Sequence, residues 1–231
     1  MEKRNHAGKK IGFAALLICL AVTASCNRPD ALLEKGAVNL ELGDYLRSRA
    51  AFGEAVDRYP TSYPARIGLG KALLQEFSAN PADSTALIGS ITQFEAARTL
   101  HPDTAVEKLL AGAWFKRADE HLAHCDTIAA LQALSRSISL DQSSVKPLNL
   151  AAILYFHRGE HDKALNLFRK VVAIDTASVS GYFNAGMVHW ADSNFTAAYD
   201  CFFKAAQRSP GDREILLWAA RAKQSGARGA Q

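Results

Sequence analysis

Two imidazoles and a thiol fall within one helical turn in the run Glu120-His121-Leu122-Ala123-His124-Cys125-Asp126. Side chains of these types, spaced three to four residues apart on a helix, can bind zinc or copper. The run offers His121, His124 and Cys125, but no fourth ligand is placed and no second cluster of this kind occurs. The competing reading is a helix end whose polar residues face water. His157 and His161 stand on either side of Gly159 and so share no helix face. Gly68-Leu69-Gly70-Lys71 has the look of a phosphate loop, yet Ala65 stands where that motif needs glycine and Ala72 where it needs serine or threonine. There is no GxSxG elbow, no HExxH and no CxxC, and the scattered acids are those of solvated helix faces. The residues therefore imply no catalytic set and no cofactor.

Whatever these groups do, helices must position them. In the 34-residue stretch Val145 to Ser178, apolar residues form two helical stripes, Leu148, Ala151, Ala152 and Tyr155, then Ala164, Leu165, Phe168, Val171 and Val172. Between them lies HRGEHD, in which Gly159 lets the chain turn without a Cβ penalty. One helical hairpin of this length cannot bury its own apolar faces, so it needs neighbours. Such neighbours follow in phase. Small residues recur at Gly36, Ser48, Gly70, Ser90, Gly112, Ala130, Gly186 and Ala198, and large ones at Phe52, Phe94, Leu134 and Phe202.

The period and this alternation of small and aromatic positions resemble the tetratricopeptide repeat. The resemblance divides the chain into units 29–62, 63–104, 105–144, 145–178 and 179–212, with a capping helix over 213–224 and a disordered tail over 225–231. It implies an all-α fold, a right-handed superhelical solenoid of five helical hairpins plus the cap. Small residues then mark close helix crossings, which places Gly36, Gly70, Gly112 and Gly186 at such crossings. Units two and three carry extra residues around SANPADST and HLAHCD, assigned to the region between their first and second helices. Asp83 and Asp126 there have the form of helix N-caps. Cys125 and Cys201 lie two units apart, beyond disulfide reach for helices packed about 8 to 10 Å apart, and are expected to be free thiols.

The first 25 residues read as an export signal: Lys3, Arg4, Lys9 and Lys10 precede an apolar run of 14 residues, Ile11 to Ala24. A spanning helix needs about 18 or more apolar residues, so the run is short for one. Val22-Thr23-Ala24-Ser25-Cys26 resembles a bacterial lipoprotein signal, which implies lipidation of Cys26, a tether over 26–28 and a membrane held through acyl chains. Asn27 in place of aspartate favours an outer membrane, facing the periplasm of a bacterial envelope. The whole chain has 27 Lys plus Arg against 23 Asp plus Glu. Residues 1–25 hold four bases and one acid, so the remainder is nearly neutral and offers no field for nucleic acid.

In the tetratricopeptide family the concave side of the array is lined by the first helices. Carried over, this implies a partner groove built from Lys71, Gln75, Arg117, Lys146, Asn149, Phe156, His157, Phe183, Met187 and Trp190. Phe183, Met187 and Trp190 are large apolar groups on a face that the repeat's own packing is expected not to use. Asn149 and Asn184 fall near the asparagines of the family's carboxylate clamp, but Ile153, Ser180, Glu214 and Trp218 occupy other clamp positions, so that clamp is not expected. The chain is read as an envelope lipoprotein that acts as a protein-binding adaptor or scaffold, with no enzymatic role. The alternatives are a metal-binding envelope protein using His121, His124 and Cys125, and a structural lipoprotein that self-associates.

Overall fold

The computed structural model describes residues 30–229, and Cys26 with the expected signal and tether lies outside them. All regular structure among the described residues is helical, in two compact units that meet in sequence at Pro102. The repeat phase predicts one run from 29 to 224, where the structure has two units. The first unit holds α1 (Asp30–Glu41), α2 (Tyr45–Arg58), α3 (Tyr63–Ala79) and α4 (Ser84–Leu100). The second holds α5 (Thr104–Ala123), α6 (Thr127–Leu140), α7 (Val145–His157), α8 (His161–Ile174), α9 (Val179–Ala191), α10 (Phe195–Arg208) and α11 (Arg213–Gly229).

Short polar residues start the helices. Side-chain oxygens of Asp44, Ser62, Asp83, Asp103, Asp126, Ser178, Asn194 and Asp212 each accept a backbone N–H from the first turn that follows. Each such bond satisfies a donor that the helix itself leaves unpaired and contributes on the order of 1 kcal/mol. Four hairpin turns share one further device. Gly43, Cys125, Gly159 and Ser193 sit just past the first helix at φ of +75°, +59°, +75° and +60°. The next residue returns its N–H to the helix, as Asp126 does to the His121 carbonyl and Asn194 to the His189 carbonyl. Two of these left-handed positions hold residues with a Cβ, which disfavours the conformation.

Inside the hairpins an aromatic ring lies against backbone. A Cβ added to Gly36 would stand 2.8 Å from the Phe52 ring, one on Gly70 would stand 2.5 Å from that of Phe94, and one on Gly186 would stand 2.6 Å from that of Phe202. Gly68 on α3 meets Phe52 from the other side, at 2.3 Å for the same added atom. Gly68 and Gly70, which mimic a phosphate loop in the sequence, are therefore two successive crossings one helix apart. The bare carbonyls also accept hydrogen bonds from buried hydroxyls, Ser48 Oγ to the Gly36 oxygen at 2.9 Å and Ser90 Oγ to that of Gly70 at 2.8 Å.

Gly112 does not follow this pattern. It is exposed, and a Cβ there would meet nothing within 4 Å. The crossing belongs to Ala118, fully buried against Ala130 and Leu134. Ala118 precedes Ala130 by twelve residues, the same step that separates Gly36 from Ser48 and Gly186 from Ala198. The extra residues of the third hairpin thus lie at the start of α5 and not at its turn. They extend α5 to 20 residues where α7 and α9 have 13. Ser137 Oγ ties this extension down through the Ala111 carbonyl at 2.8 Å. In the second hairpin the insertion does lie at the turn, and it is absorbed by lengthening α3 and α4 to 17 residues each. At the other end α11 continues to Gly229, past the boundary expected at Gln224, and a Cβ added to Gly226 would stand in ordinary contact with Phe195 and Thr196.

Two substitutions with opposite effects check this packing. Gly70→Val drives two methyls into the wholly buried Phe94 ring and should cost about 1 to 3 kcal/mol. Ser193→Gly removes the Cβ penalty at a left-handed turn and should add roughly 1 kcal/mol. Urea unfolding followed by far-UV circular dichroism reads both signs.

Candidate partner-binding face

The first helices of the second unit carry three rows of side chains, of which Phe156, Phe183 and Trp190 also touch the second helix of their own hairpins. The rows are spaced by 34 residues: Phe115, Asn149, Phe183 and Leu217; Asp119, Ile153, Met187 and Arg221; Leu122, Phe156, Trp190 and Gln224. They rest on the small-residue crossings, because Ala118, Ala152 and Gly186 bring each first helix close to its partner and fix which side remains outward.

Asn149, Ile153 and Phe156 on α7, with Asn184 and Met187 on α9, are all half-buried. The Asn184 amide donates to the Asn149 side-chain oxygen over 3.5 Å, a long bond that leaves most of both amides' capacity unused. Phe156 packs against the buried cluster of Ala152, Ala164, Leu165, Phe168 and Val188 and lies beside His157 and His161, with ring centroids 5.6 and 5.4 Å away. His161 Nδ1 contacts the Asp192 carboxylate, joining the turn ends of α8 and α9. Burial lowers the pKa of His189 on α9, an effect that Asp192 opposes and Arg169 reinforces. On α5, partial desolvation raises the pKa of the Asp119 carboxyl against the pull of Lys116.

Several expected groove residues are shared with the fold or stand outside the rows. Phe183, Met187 and Trp190 are used by the fold after all, since they pack with Trp218 around Ala198, Phe202, Ala219 and Ala222. Trp190 meets Phe195 and Trp218 edge-on at 5.0 and 5.4 Å, and Arg221 stacks over Trp218 at 5.3 Å. The last helix therefore recruits them, and their half-exposed edges are what remains for a partner. Arg117 is displaced by the same shift that displaces Gly112. It pairs with the nearly buried Glu120 on its own helix at 2.5 Å, and Phe115, Asp119 and Leu122 stand in the rows instead. The 34-residue step backward from Asn149, Ile153 and Phe156 is the sequence signal that identifies them. Lys146 and His157 are exposed on α7. Lys71 and Gln75 are exposed on α3, in the first unit.

The histidine and cysteine run has no metal geometry. His124 is the helix C-cap, with Nδ1 2.8 Å from the Glu120 carbonyl, and Cys125 occupies the left-handed turn. Among the described residues no three His, Cys, Asp or Glu side chains converge on a point that could hold an ion. Cys125 and Cys201 are free, and burial pushes the Cys201 thiol up.

A family model described as tetratricopeptide repeat matches residues 30–76. Among solved structures, the MamA protein superposes with a TM-score of 0.56 at 20% identity, over 79% of this chain and 92% of that one. YrrB, described as a tetratricopeptide repeat protein with an unusual peptide-binding site, gives 0.55 at 16% identity, over 89% and 97%. A tetratricopeptide repeat protein from Parabacteroides merdae gives 0.55 at 16%, over 87% and 75%. No curated protein matches the chain. Residues 30–76 thus match the tetratricopeptide repeat model, and the described residues have the tetratricopeptide fold.

The division of labour on this face is open to a direct check. Trp190→Ala removes a ring wedged between two others and should cost about 2 to 4 kcal/mol, toward the range for aromatic truncation in cores. Asn149→Ala should stay within about 1 kcal/mol, its only bond being long and partly exposed. Guanidinium unfolding, followed by tryptophan fluorescence for Asn149→Ala and by circular dichroism for both, separates a framework residue from a recognition residue.

Proposed function

We propose that this chain is a bacterial envelope adaptor, lipid-anchored at Cys26 on the periplasmic side of an outer membrane, that holds a segment of another envelope protein on the first-helix rows of its second unit. The observation that carries the reading is the stretch Asn149, Ile153, Phe156, Asn184 and Met187. Apolar side chains stand half-exposed there beside amides with unused donors and acceptors, the mixture that suits an extended or helical peptide. A solenoid with the fold of a described peptide-binding protein agrees with this use. The residues bind and hold; none is placed to break a bond. Anchoring and compartment rest on the residues around Cys26.

A photo-reactive residue at position 153 should crosslink a discrete envelope protein in living cells, and Met187→Lys should reduce that product at least fivefold. The same probe at Gln132, exposed on α6, should not give it. An identical product from both positions would refute the assignment of the face. Separately, Cys26→Ala should abolish incorporation of labelled palmitate and release the protein from membranes. Continued labelling would disprove the anchor while leaving the binding face intact.

A further inference from the structure

Two positions on each first helix lie beneath the second helix of the same hairpin. On α7 they are Leu148 and Ala152, 1% and 0% exposed. Two periods further on, Leu216 and Ala220 take the same positions on α11, and no helix among the described residues covers them. Leu216 is 46% exposed and Ala220 is exposed as well. The second helix α10 continues this bare strip with Phe203, 46% exposed and stacked on Tyr199 at 5.9 Å. Leu216 and Ala220 thus leave an apolar slot at the positions that a second helix covers on α7, with Phe203 exposed on α10.

A second uncovered helix face occurs in the first unit. Ile215, Ala219 and Ala222 dock α11 on the hairpin before it, and all three are buried. Their counterparts on α1 are Ala31, Lys35 and Val38, and all three are exposed, Val38 to 49%. The charges on these two helices are opposite. α1 carries Asp30, Glu34 and Glu41 against the single base Lys35. α11 carries Arg213, Arg221, Lys223 and Arg228 against the single acid Glu214. Two basic α11 helices would repel one another across a symmetric contact, whereas α1 meets α11 with attraction.

We infer that the slot on α10 and α11 receives α1 of a second copy of this chain, giving a salt-sensitive head-to-tail association. The contact is heterologous, so each added copy brings another α1 and another slot, and assembly is not confined to two chains. It does not depend on the partner face proposed above, whose residues Asn149, Ile153, Phe156, Asn184 and Met187 lie on α7 and α9.

Sedimentation velocity of the purified full-length protein, in detergent for its acyl anchor, tests this over a concentration series at about 50 and 500 mM salt, between which the Debye length falls from roughly 14 to 4 Å. Species larger than the monomer should appear at low salt and decline at high salt. Leu216→Lys, at an exposed position, should weaken association at least tenfold with an unchanged circular dichroism spectrum. Glu34→Arg with Glu41→Arg should also prevent association, as should Arg213→Glu with Lys223→Glu, which lie three residues before and seven after Leu216 on its helix face, and mixing these two reversed chains should restore a complex. A monomer at every concentration, a dimer indifferent to Leu216→Lys, or reversed chains that fail to combine would each overturn the inference.

Discussion

Close approach of an aromatic ring to a helix backbone without a Cβ is the interaction on which the rest of this structure depends. Phe52 is held between Gly36 and Gly68, Phe94 lies on Gly70 and Phe202 lies on Gly186. The ring fills space that a methyl would otherwise claim, so the two helices of a hairpin approach until their backbones nearly touch. The two remaining hairpins reach similar spacing by other means, Leu134 near Ala118 and Phe168 near Ala152. Because the crossing fixes the rotation of each first helix, it also fixes which side chains remain outward. The presentation of Asn149, Ile153 and Met187 is a by-product of where the glycines and alanines sit.

Polar atoms reinforce the same contact. A buried serine opposite a glycine costs free energy unless its hydroxyl finds an acceptor, and the uncovered carbonyls of Gly36 and Gly70 are within its reach. Among the described residues no buried side-chain nitrogen or oxygen lacks a hydrogen-bond partner. The hairpins are thus set by shape and by directional bonds at one and the same point, which restricts sliding of one helix along the other.

The repeat and its all-helical fold could be read from the sequence because they rest on local periodicity, and the crossings at Gly36, Gly70 and Gly186 follow from that periodicity. Gly112 is misleading because it stands near the spacing of a crossing that Ala118 makes instead. Periodicity alone cannot say at which end of a helix an insertion lies, and that ambiguity also misassigned Arg117. The recruitment of Trp190 by Trp218 was hidden for another reason, since it is a contact between different repeats, made by a helix whose own partner is absent from the described residues. Left-handed Cys125 and Ser193 carry no sequence signal of their own. Only their place just past a helix end, where Gly43 and Gly159 stand in other hairpins, marks them.

The long helix α5 carries a lesson about how such arrays can change size. Seven residues make almost two full turns and leave the helix only about 20° out of register. A 20-residue helix can therefore take the place of a 13-residue one without turning its buried side toward water. Gains of one or two residues would swing the inward stripe by a quarter turn or more, since each residue advances about 100°. Growth at a helix start is in effect quantised in near-whole turns, and of the short increments a heptad disturbs the register least.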